Sequence, residues 1–121
     1  MSDQFTERLA IVRTRFAANL NRTIESVDSA LPQLIGAGEA VNAALTTAHR
    51  SVHGLCGMGP TVGFVATGKA ARTVERILLQ PLRAKRGLTE DEATFVRKSL
   101  AELRNVAQAE LHSNALGGQQ S

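Results

Sequence analysis

Apolar residues recur every three or four positions through almost the whole chain, and four stretches of that pattern account for nearly all of it. The first carries Phe5, Leu9, Val12, Phe16, Leu20, Ile24, Val27 and Leu31 as one stripe, interrupted by Pro32 and a turn at Gly36 and Gly38. A second helix is predicted from about Glu39 to Gly57, with Val41, Leu45, Ala48, Val52 and Leu55 facing inward. Gly57, Gly59 and Pro60 should end it, and Pro60 suits the first turn of the helix that follows. The third spans Thr61 to Gln80, burying Ala70, Val74, Ile77 and Leu78, with Pro81 stopping or kinking it. The fourth opens on Thr89-Glu90-Asp91-Glu92, where Thr89 and Glu92 can satisfy each other's backbone donors. Its stripe is Ala93, Val96, Leu100, Leu103, Ala107 and Leu111. Short connections and the absence of strand alternation predict an all-α fold, an antiparallel up-and-down four-helix bundle. One domain over residues 1–116 and a frayed tail over 117–121 are expected.

Composition narrows the picture. Of 121 residues 43% are hydrophobic, with four Phe and no Trp or Tyr, so the core is aliphatic and suited to close helix packing. A single cysteine excludes an internal disulfide and fits a reducing compartment. The N-terminus lacks an apolar run of the secretory kind, and no stretch reaches transmembrane length, so a cytoplasmic protein without a membrane partner is expected. Net charge is +3, partly from Arg83, Lys85 and Arg86 after the third stretch. Without aromatics to stack bases, that balance argues against nucleic acid and for a solvated loop or attraction to an acidic partner. No glycine-rich phosphate loop, Ser-His-Asp set or paired carboxylates point to an autonomous enzyme.

The chemistry concentrates in the second helix. At about 100° per residue, His53 points roughly 120° away from the stripe of Leu45, Ala48, Val52 and Leu55, which puts it in solvent. His49 and Cys56 fall nearer the boundary, and Arg50 and Gly57 flank His53. Gly54 and Gly57 each weaken a helix by about 1 kcal/mol relative to Ala. Fraying near the helix end explains them; so does clearing a face for another protein.

The run His49 to Phe64, HRSVHGLCGMGPTVGF, resembles the signature of histidine-containing phosphotransfer (HPt) domains, His-x-Leu-Lys-Gly and then, after five further residues, Gly-Phe or Gly-Ala. The matching positions are His53, Leu55, Gly57, Gly63 and Phe64, and Lys69 to Glu75 is similar to the family's small-residue helix ending in an apolar-Glu pair. The resemblance covers about a third of the chain. It implies that His53 accepts a phosphoryl group, with His49, Arg50, Cys56, Gly57, Gly63 and Lys69 supporting the site or its partner. It further implies receiver domains of response regulators, a hybrid histidine kinase, or both as partners, and a monomeric carrier between them. No cofactor is implied in this chain; Mg²⁺ comes with the receiver. An exposed imidazole has a reference pKa of about 6.5, leaving one ring nitrogen free to attack near neutrality. One departure stands out: Cys56 occupies the usual lysine position, and Arg50 or Lys69 would have to supply the cation instead.

Two other readings remain open at this stage. An HPt-like bundle can bind partners without carrying phosphate, an option the missing lysine keeps alive. His49, His53 and Cys56, at i, i+4 and i+7, suit zinc by residue type, yet no carboxylate lies on that helix face and His112 is distant in sequence. No metal site is therefore assigned.

Overall fold

The structure, a computed structural model, describes the backbone of residues 2–120 and the side chains of residues 4–113. The tail expected to fray, residues 117–121, lies outside the described side chains. Four helices follow one another: α1 Ser2–Leu34, α2 Glu39–Thr61, α3 Val65–Arg83 and α4 Glu90–Gln120. The described residues contain no strand, only an isolated bridge between Ile35 and Leu88. Each helix packs against two neighbours, α1 and α3 both lying between α2 and α4, which closes a four-helix bundle. The contacts fit an up-and-down order: Arg13 of α1 meets Val62 at the end of α2, and Glu110 of α4 meets the start of α3.

The core is the aliphatic one the stripes demand. Leu20, Leu31, Leu45, Val52, Val74, Leu78, Val96 and Leu103 are fully buried, and each such side chain contributes about 1.5–3 kcal/mol relative to exposure. The stripe of α4 is buried throughout, with Leu111 partly so. In α1 the stripe goes inside only from Phe16 onward; Phe5 is 70% exposed and Val12 is exposed as well. For Phe5 the reason is length. α2 ends level with Arg13, so the first turns of α1 have no α2 beside them.

The prolines did not act where the sequence placed them. Pro32 lies inside α1, Pro60 inside α2 rather than opening α3, and Pro81 inside α3. Each is one or two residues from its helix end, where only the last backbone hydrogen bonds are affected. Because α2 runs on to Thr61, α3 starts four residues later than the sequence suggested, at Val65. The turn between them needs Gly63, whose φ is +92°; a Cβ there would meet an Arg13 guanidinium nitrogen at 3.4 Å. Arg13 Nε donates to Val62 O at 3.0 Å and fastens this turn to α1. Phe64 buries its ring against Phe16, centroids 5.0 Å apart.

The start of α3 has no side-chain cap of its own; Glu110 supplies one from α4, accepting from the N–H groups of Ala66 and Thr67 at 3.1 and 2.6 Å. At the other end of the bundle the loops are zipped by Gly87 N–H to Gly36 O and Leu88 N–H to Leu34 O. Any Cβ on Gly87 would stand 2.4 Å from Gly36 O, so the loops close only around a glycine.

The capping box of α4 forms as the sequence predicts: Thr89 N–H donates to Glu92, and Glu92 N–H to Thr89 Oγ1, at 2.9 and 3.1 Å. Arg86, read as part of a solvated basic loop, donates two bonds to the Glu92 carboxylate instead. These bonds, outweighing partial burial, hold the Glu92 carboxyl at about 2 against an ordinary 4.5. A carboxylate depressed on folding contributes stability that is complete above about pH 4.5 and is lost as pH falls toward 2. Glu92→Gln should therefore lower stability at neutral pH and flatten the acid limb across that window, measured by urea unfolding at a series of pH values.

Candidate functional site

The site is built where α2 crosses α3. His49, His53 and Cys56 descend one side of α2, and α3 brings Glu75 to meet them. Small residues permit the close crossing. A Cβ on Gly59 would lie 2.9 Å from Phe64 O, one on Gly68 would lie 2.9 Å from Pro60 Cδ, and Ala71 is fully buried. With α3 held this near, the Glu75 side chain reaches α2 while remaining only 14% exposed.

Three groups converge on that carboxylate. His53 Nδ1 hydrogen-bonds to Glu75 Oε2, the Cys56 thiol lies near enough to Glu75 for the two to influence each other's titration, and His49 Nε2 lies 3.6 Å from the same Oε2. The last distance is too long for a hydrogen bond, and His49 Nε2 is buried without a partner. The two imidazoles stack, centroids 5.9 Å apart and planes 16° off parallel. Burial alone would raise the Glu75 carboxyl; the His53 bond first, with the Cys56 and His49 effects behind it, brings it below the usual value. Glu75 is thus the acceptor and His53 Nδ1 the donor, so that in the neutral ring it is Nε2 that keeps its lone pair.

Exposure separates the two histidines. The His53 side chain is 70% exposed and that of His49 18%. Solvent pointing by His53 and a boundary place for His49 agree with the helical wheel. Cys56 lies deeper than expected, inside the core cluster. Burial and then the Glu75 charge push its thiol up to about 11, so it is neutral near pH 7.

The remaining candidates divide. Gly54 and Gly57 are exposed, and a Cβ at either would meet nothing within 4 Å. No packing within the chain calls for them. Beside Gly54 a shallow apolar groove of about 450 Å³ runs between α1 and α2, lined by Val12, Arg15, Phe16, Asn19 and Met58. Arg50 is exposed one turn before His53 and makes no hydrogen bond or ion pair among the described residues. Gly63 is not brought to the site: it belongs to the α2–α3 turn, ten residues beyond His53. Lys69 is not brought there either, since it sits six residues before Glu75, about 9 Å along the α3 axis.

Two participants escaped the sequence reading of the site. Glu75 entered it only as the end of a motif, although its place on the flank of the buried stripe, between Ala71 and Leu78, marks a carboxylate needing a partner. Arg72, one turn before Glu75, lies close enough to Cys56 for its charge to oppose the rise of the thiol. The carboxylate missing from the α2 face is therefore delivered by α3. Even so, no group of three or more His, Cys, Asp or Glu among the described residues is disposed to hold a metal ion. His112 is exposed on α4. No helix among the described residues is long and apolar enough to cross a membrane.

Compared with known proteins, the chain matches no family model, no curated protein and no solved structure.

A neutral, buried thiol should be slow to react. With its titration moved from 9.0 to about 11, the thiolate fraction below pH 9 falls about a hundredfold, and burial slows access further. Labelling by a water-soluble maleimide at pH 8 should be at least that much slower in the folded chain than in urea; equal rates would contradict the burial of Cys56.

Proposed function

We propose that the chain is a cytoplasmic phosphoryl carrier of the HPt type, in which His53 accepts a phosphoryl group from a receiver-domain phosphoaspartate and hands it to another receiver. The observation that carries this reading is the asymmetric treatment of one imidazole. Its Nδ1 is tied to a half-buried carboxylate while the ring as a whole stands in solvent. A nucleophile oriented by a third group and open to a large co-substrate suits transfer between proteins. The resemblance of His53, Leu55, Gly57, Gly63 and Phe64 to the HPt signature points the same way.

The chemistry asks little of the bundle. The Nε2 lone pair forms the N–P bond as the acyl O–P bond of the phosphoaspartate breaks, and the electron pair of that bond leaves on the aspartate carboxylate. Nε2 carries no proton, so none has to depart. The ring becomes positive, and Glu75 faces that charge across the Nδ1–H bond. Catalysis is then mainly in-line positioning, with Mg²⁺ supplied by the receiver. The bare helix surface at Gly54 and Gly57 lets the receiver approach, and the apolar groove beside Gly54 gives it a surface to bury.

A second reading, an interaction module that binds receivers without carrying phosphate, draws on Cys56 in the lysine position. One experiment separates the two. The protein is incubated with potassium phosphoramidate or with a panel of phosphorylated receivers, and the modified side chain is mapped by mass spectrometry at alkaline pH. Phosphate should appear on His53, vanish in His53→Gln and persist in His49→Gln. Gly57→Gln should leave labelling by phosphoramidate intact yet slow transfer from a receiver at least about tenfold, because the long side chain blocks docking rather than chemistry. Phosphate on His49, or on no residue with either donor, contradicts the proposal; receiver binding without label favours the second reading.

A further inference from the structure

Two contacts set the register of α2 against α3: His53 with Glu75, and Pro60 with Gly68. The helices run in opposite directions, so three residues forward on α2, from His53 to Cys56, correspond to three residues back on α3, from Glu75 to Arg72. Arg72 therefore stands opposite Cys56, three residues or about 4.5 Å along the axis from the level of the His53–Glu75 pair. It is exposed, and its charge is felt at the thiol.

A cation three residues before a glutamate on the same helix face ordinarily pairs with it. Here Glu75 turns toward α2 and is occupied by His53. The guanidinium is left without an ion pair among the described residues, at the level of Cys56 and three residues from the His53–Glu75 pair. Lys69 begins a further turn away, and Arg50 stands on the opposite side of His53 along α2. Free N–H donors in a planar fork match the oxygens of a phosphoryl group.

We infer that Arg72 holds the phosphoryl oxygens on Nε2 of His53, supplying from α3 the positive charge that position 56 does not supply from α2. The assignment rests on the carrier reading above and adds a residue to it. It divides the work: Glu75 fixes the ring at Nδ1, and Arg72 meets the phosphoryl group carried on Nε2. Arg72 does not orient the imidazole, so its loss affects the phosphorylated state and the approach to it.

The test uses the full chain with potassium phosphoramidate, comparing wild type, Arg72→Gln, Arg72→Lys and Lys69→Gln. Both substituted positions are exposed, so circular dichroism should be unchanged in all four. Arg72→Gln should slow labelling of His53 about fivefold, Arg72→Lys should restore most of the rate, and Lys69→Gln should match wild type. The ³¹P resonance of phospho-His53 gives a readout that a merely structural residue would not move. Its titration should shift to higher pH in Arg72→Gln, since a nearby cation favours the dianion, and should return in Arg72→Lys. Labelling of wild type with no change of rate or ³¹P titration in Arg72→Gln would overturn the role of Arg72 and leave His53 as acceptor. Absence of label on His53 in wild type would overturn the carrier reading, and this assignment with it.

Discussion

A carboxylate seated between two helices must be hydrogen-bonded where it sits, and Glu75 meets that requirement by gathering side chains from the neighbouring helix around itself. The consequences run outward from that point. His53 is held by one ring nitrogen and thereby presents the other; Cys56 remains a thiol because it is buried and, second to that, because an anion lies near it; His49 stacks below and stays mostly covered. Without Glu75 the same residues on α2 would be an exposed histidine, a boundary histidine and a core cysteine with nothing in common.

The reach of Glu75 depends in turn on how closely α2 and α3 approach. Gly59 and Gly68 give up their side chains at the crossing, and the turn around Gly63 is clamped by Arg13 from α1. These glycines are structural: a methyl group at the crossing would collide with backbone or with Pro60. Gly54 and Gly57 belong to a different class. They face open space, lower the stability of α2, and relieve no contact within the chain. One set brings the helices together; the other keeps the surface beside His53 low.

Much of this architecture could be read along the chain because burial follows a helical period. The α4 stripe and its capping box are local patterns, and both form as written. The exposed side of α2 was legible for the same reason, since a wheel needs only one helix. What escaped depends on relations between helices. Phe5 satisfies the α1 period but lies beyond the end of α2, and Val12 faces the groove beside Gly54, which no count along α1 can reveal. The prolines mark helix ends to within a turn, yet a proline in a last turn disrupts little backbone hydrogen bonding, so α2 runs past the predicted stop. Glu75 and Arg72 acquire their meaning only from the α2–α3 register, and Gly63 and Lys69 lose theirs for the same reason.

The central claim is that Glu75 fixes the His53 ring with its proton on Nδ1 and Nε2 unprotonated. Long-range ¹H–¹⁵N spectra of the imidazole-labelled chain at alkaline pH, where the rings are neutral, read that tautomer directly. Nδ1–H at His53 in wild type, reverting toward Nε2–H in Glu75→Ala, is the predicted result. Nε2–H at His53 in the wild-type chain, or a tautomer unchanged by loss of Glu75, would contradict the account.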